Sequence, residues 1–187
     1  IGFCLVGSEM CIRDRFNMSA AVYAGAATPV GSALGEGYAD FVHGKNGLGD
    51  IYLTTPMCES EAMPAAEAIV KLVKANPHEL SIVAVGRMTN LAMALALDPE
   101  LPSLVKELIV MGGVFGYNGH RGNVSPVAEA NMAGDPLAAD RVFTSGIPTT
   151  IVGLDVTAET VINEAYIDQL RQTAGASSGL AQLINIG

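Results

Sequence analysis

Three times along this chain a short run rich in β-branched residues closes on glycine or leads through it: LSIVAVG at 80–86, ELIVMGG at 107–113 and TTIVGLDVT at 149–157. Apolar runs of this length suit buried strands, and β-branched side chains pack well on a pleated surface. Helical patterns separate the runs, so the strands cannot be joined as hairpins, and each connection must cross back over the sheet. The pattern predicts an α/β fold with a mainly parallel open sheet flanked by helices. The unbroken stretch from Ile82 to Val85 further predicts that helices cover both faces of the first strand.

The intervening segments read as helices with recognisable ends. Ala65, Ala68, Ile69, Leu72 and Val73 recur at helical spacing, and Asn76-Pro77 stops them. TNLAMALAL at 89–97 predicts a second helix, with Thr89 as a candidate cap and Asp98-Pro99 as its end. Asp135-Pro136 opens another, since an acceptor side chain precedes a proline at the first helical position. Upstream, AVYAGA at 21–26 predicts a further short strand, followed by a long Gly-rich loop.

The chain has 187 residues, half of them hydrophobic, which is enough for one globular domain. A formal charge of −9 leaves no basic face for a phosphate backbone, so nucleic acid is excluded as a partner. Cys4, Cys11 and Cys58 are odd in number and lack C-x-x-C spacing, which disfavours a disulfide framework or a zinc site and fits the cytoplasm. No apolar run reaches the length of a bilayer span, so no membrane partner is expected. Residues 1–15 read as a non-native, adapter-derived leader without the features of a signal peptide. That leaves residues 16–187 as a partial domain, incomplete at both ends.

In open parallel sheets, ligands bind beyond the carboxyl ends of the strands. Those ends are predicted at Val85-Gly86, Met111-Gly112-Gly113 and Leu154-Asp155. The stretch RGNVSPVAEANMAGDP at 121–136 follows the second end closely enough to fold back over the same rim. Pro126 biases this stretch toward extended backbone, so Glu129 and Asn131, two apart, point to one side. Asn123 arrives from the turn before them. A carboxylate accepts hydrogen bonds and an Asn amide both donates and accepts, which together match a polyol such as a sugar. The same residue types also suit an Asx-turn and a helix start. Asp155, at a strand end, suits either chemistry or the capture of nearby backbone amides.

The segments GNVSPVAEANMAGDP (122–136) and GIPTTIVGLDVT (146–157) strongly resemble the nucleoside hydrolases, the inosine-uridine preferring N-ribohydrolases. VYAGAATPV, HGKNGLG, VAVGRMTNLAMAL, DPEL and ELIVMGG precede them in that family's order, so the likeness covers 20–187. The resemblance implies a Rossmann-like fold and an enzyme of nucleoside salvage that hydrolyses ribonucleosides to ribose and free base. It further implies a bound Ca²⁺ that activates the attacking water, an oxocarbenium-like transition state and a homo-oligomer. It assigns the ribose hydroxyls to Asn123, Glu129 and Asn131, packing near the sugar to Met111, and a metal ligand to the backbone carbonyl of Val85. His43, in HGKNGLG, is a candidate substrate-proximal residue.

Two departures accompany the likeness. Arg87 replaces the proline of the family's G-P-L-T-N turn and is expected at the surface. The family's aspartate-rich D-x-D-P-G-x-D-D cluster has no counterpart, since no two acidic residues are adjacent anywhere in this chain. The general base and acid are therefore expected outside it, and the chain alone is expected to be inactive. Two other classes compete: a catalytically dead relative acting as a binding or scaffold protein, and a nucleotide-binding module. The second lacks G-x-G-x-x-G and the P-loop pattern.

Overall fold

Pro64 opens helix α1 (Ala65–Ala75) in the computed structural model, which describes residues 13, 20–31, 44, 45, 50 and 59–174. Glu67 lies in its first turn and Lys74 in its last, each complementing the helix dipole, while Ala66, Ala68 and Val73 turn inward. The chain continues through β1 (Ser81–Ala84), α2 (Thr89–Leu97), α3 (Leu101–Leu104) and β2 (Glu107–Met111). After a 3₁₀ turn at Tyr117–Gly119 come α4 (Ala130–Ala133), α5 (Pro136–Phe143), β3 (Thr149–Val152) and α6 (Leu154–Thr157). These elements, with residues 25–31, belong to one of two compact units. In the other unit, Tyr23 and Glu61 form an isolated parallel bridge and α7 runs Glu164–Ala174. No helix among the described residues is long and apolar enough to cross a membrane.

The three strands pair in parallel in the order β1-β2-β3, so β2 is central. Leu108 and Val110 alternate inward from β2 and are fully buried. They join Val73, Met88, Leu91, Leu101, Ala138 and Val142 in one core. Burying side chains of this size stabilises by about 1.5–3 kcal/mol each.

Several expectations need correction. Among the described residues, helices cover one face of β1: Val83 is 62% exposed, because the described core gathers on the side of Ile82 and Ala84. The strand expected at 21–26 reduces to the Tyr23 bridge, because the Ala26 amide donates instead to Asn90 Oδ1 at 2.8 Å. Thr89 is not the cap of α2. Met88 holds that position, and the Thr89 hydroxyl donates to Asp135 Oδ2 at 2.7 Å. The third strand ends at Val152, since the Leu154 amide leaves the ladder to donate to the Gly113 carbonyl at 2.8 Å.

Asp135 caps α5 as expected, accepting from the Ala138 amide at 3.2 Å. The same carboxylate accepts from Val30 N at 2.8 Å and Gly31 N at 3.4 Å, so it ties residues 30–31 to the starts of α2 and α5. Burial pushes its pKa up, but the Thr89 hydroxyl and the amides of Val30, Ala138 and Gly31 outweigh that and hold it below the usual range. A depressed carboxylate stabilises the fold above the unfolded-state value of about 3.9 and loses that contribution as pH falls through its lower folded value. Asp98, hydrogen-bonded to Lys74, is shifted the same way. The urea midpoint is therefore expected to hold from neutral pH to about 5 and to drop steeply below about 4. A midpoint that stays flat to pH about 3 would contradict this assignment.

Candidate active site

The site grows from the end of β2. Gly113 adopts φ 73°, a left-handed conformation open to glycine, and so turns the chain sharply off the strand. Its amide donates to Glu129 Oε2 at 3.0 Å, and its carbonyl accepts from Leu154. The returning segment closes on itself through Gly122 N to Pro126 O at 3.2 Å and Val124 N to Ala128 O at 3.1 Å. A side chain on Gly122 would strike the carbonyls of Ser125 and Ala128, so this turn also requires glycine.

Glu129 is 3% exposed and sits at the N-cap of α4 with extended backbone. It accepts from Asn131 N at 2.8 Å, Met132 N at 3.2 Å and the Gly113 amide. Glu129 and Asn131 therefore do not share one side of an extended segment: α4 begins between them because the carboxylate captures its first free amides. Asn123 Oδ1 accepts from Ala130 N at 2.9 Å, which brings the exposed Asn123 to the same helix start. Asn131 Nδ2 donates to the Met111 carbonyl at 3.0 Å, lies 3.3 Å from Met111 Sδ, and reaches the Val85 carbonyl at 3.4 Å.

Asn123, Glu129, Asn131, Met111 and the Val85 carbonyl are thus drawn together around α4. His43 lies outside the described residues. Arg87 is half-buried rather than on the surface, its guanidinium lying over Gly134 where a Cβ would collide with it. Sequence reasoning left Asp155 open, and the structure buries it: Oδ2 accepts from Phe115 N at 3.2 Å and Tyr117 N at 3.0 Å. The Asp135 tether was recognised only as a cap, because its other partners lie up to 105 residues away.

Considerable hydrogen-bonding capacity remains. A carboxylate offers about four lone-pair sites, and amides occupy only three of those of Glu129. Among the described residues, the Asn123 amide nitrogen and Asn131 Oδ1 make no hydrogen bond. Donors and acceptors therefore stand ready within one turn of helix. Ca²⁺ is a poorer fit to what is described, since it takes about six to eight oxygens, several of them charged. The Val85 carbonyl is present, but the described residues hold no group of three or more His, Cys, Asp or Glu suited to a metal.

Fold and rim define an α/β protein with a cluster of polar side chains beyond the carboxyl ends of a parallel sheet. The profile of the "Inosine-uridine preferring nucleoside hydrolase" family matches residues 9–186, beginning inside the segment read as a leader, and the chain belongs to that family. It is 44% identical over 137 residues to the probable uridine nucleosidase 1 of Oryza sativa subsp. japonica, covering 73% of this chain and 41% of that protein. A solved plant nucleoside hydrolase, PpNRh1, superposes with TM-score 0.87 at 32% identity, covering 97% of this chain and 57% of the other. The purine-preferring ribonucleoside hydrolase from Gardnerella vaginalis gives TM-score 0.86 at 33% identity, with coverages of 96% and 57%. The chain spans 40% to 61% of the length of the curated relatives it matches.

Proposed function

We propose that this chain carries the ribose-binding part of a hydrolase that cleaves the N-glycosidic bond of ribonucleosides, yielding ribose and free base. The observation that carries the reading is the unspent capacity around α4: with Asn123 Oδ1 and Asn131 Nδ2 engaged, Asn123 Nδ2 is left to donate and Asn131 Oδ1 to accept, and buried Glu129 keeps a lone pair beside them. Vicinal hydroxyls, each able to donate once and accept twice, complement that set. Hydrogen bonds to a charged group are worth about 1.5–3 kcal/mol each. Such bonds serve catalysis when they strengthen as the sugar flattens toward an oxocarbenium-like state. Met111 would pack against the ribose, and the Val85 carbonyl would be one oxygen toward the calcium that the family likeness implies.

Relatives named as uridine nucleosidases and as a purine-preferring hydrolase support a nucleoside substrate and leave both base classes to be tried. Titration calorimetry with D-ribose, uridine and inosine tests the reading. Saturable binding of uridine or inosine, competed by ribose, is expected; binding of none of the three would sink it. Because no two acidic residues adjoin in this chain, the purified 187-residue protein is expected to release no ribose from either nucleoside. Calcium-dependent ribose release would overturn that second expectation alone.

A further inference from the structure

Asp155 and Glu159 lie four residues apart, which along a helical path places both carboxylates on one side of α6 and the turn after it. Both hold the same loop, residues 113–122. Asp155 Oδ2 takes the amides of Phe115 and Tyr117. Glu159 Oε1 accepts from Asn118 Nδ2 at 3.1 Å and lies 3.0 Å from His120 Nε2. The Leu154 amide adds a bond to the Gly113 carbonyl, so the loop is fastened to α6 from its first residue almost to its last.

Both ends of this loop enter the candidate site. Gly113 donates to Glu129, and Gly122 leads directly into Asn123. The fastening also carries a local cost. Asp155 is 1% exposed and its Oδ1 has no hydrogen-bond partner. That oxygen is pressed against Gly153, where a Cβ would strike it. A buried acceptor left without a hydrogen bond is destabilising, and the amides of Tyr117 and Phe115 on the other oxygen, with those of Asp155 and Val156 close to the carboxylate, offset that cost.

The geometry points to Asp155 and Glu159 as positioning residues that clamp the 113–122 loop and thereby hold Asn123 and Glu129 at the spacing a ribose requires. This rests on the ribonucleoside reading. Neither carboxylate touches the sugar; each acts through the loop.

The test pairs amide hydrogen exchange with uridine binding in the full chain. In D155N, exchange across 113–122 is expected to rise about tenfold with β1, β2 and β3 unchanged, and the uridine Kd to rise by a similar factor. E159Q and H120A are expected to raise both about threefold, while H120Q, which keeps a donor, stays near the unaltered protein. If D155N does not fold, the surface variants E159Q and H120A decide the matter. Unchanged loop exchange in these variants, or a loosened loop with an unchanged Kd, overturns the proposal. Should the unaltered chain bind no uridine, the ribonucleoside reading fails, and the exchange data alone then decide whether the clamp exists.

Discussion

Glu129→Ala is expected to weaken uridine binding by about 10- to 150-fold, the equivalent of one hydrogen bond to a charged group at 1.5–3 kcal/mol. The same change removes the acceptor for three amides, two that begin α4 and one at Gly113. Loss of a helix cap together with an amide stranded beside a buried site is expected to lower stability by about 2–4 kcal/mol. Glu129→Gln separates the two effects. Its carbonyl oxygen still accepts, so much of the fold stability returns, while its NH₂ group faces amides that also donate and the charge is gone. Calorimetric Kd values beside urea midpoints check this. An unaltered Kd in a folded E129A protein would mean that the carboxylate only caps α4.

Asp135→Ala is expected to cost about 3–4 kcal/mol of stability, the upper range for disrupting a buried hydrogen-bond network. The change strands four donors, since Val30 N, Gly31 N, the Thr89 hydroxyl and Ala138 N all converge on a fully buried carboxylate. They come from three separate parts of the chain, so their loss releases residues 30–31 and the starts of α2 and α5 together. Thr89→Val removes one of the four donors and is expected to cost about 1 kcal/mol. Urea denaturation provides both numbers. A loss below about 1 kcal/mol in D135A would show that the tether bears little of the fold.

Strand positions were legible because β-branched runs closing on glycine carry a local signature, and the start of α5 was legible because Asp135-Pro136 does too. Less local features were not. Leu154 and Val156 look like a continuation of β3, yet the Leu154 amide is claimed by Gly113, a partner 41 residues earlier that no window over the sequence contains. Glu129 and Asn131 do lie at the rim, but their geometry departs from the expected one for the same reason. The cap on α4 is completed from 16 residues away, and the Asn131 amide from 20 and 46 residues away. A four-residue helix is too short to announce itself by periodicity.

Gly113 imposes a handedness on the rim. Two peptide planes meet at its α-carbon: one presents an N–H to Glu129, the other a carbonyl to Leu154. A side chain built there meets nothing within 4 Å, so room is not the obstacle; the positive φ is. An L-alanine would strain against that torsion, whereas its mirror image, D-alanine, prefers it. The alignment of the whole rim therefore turns on the chirality tolerated at a single carbon, in a place where an added side chain would touch nothing.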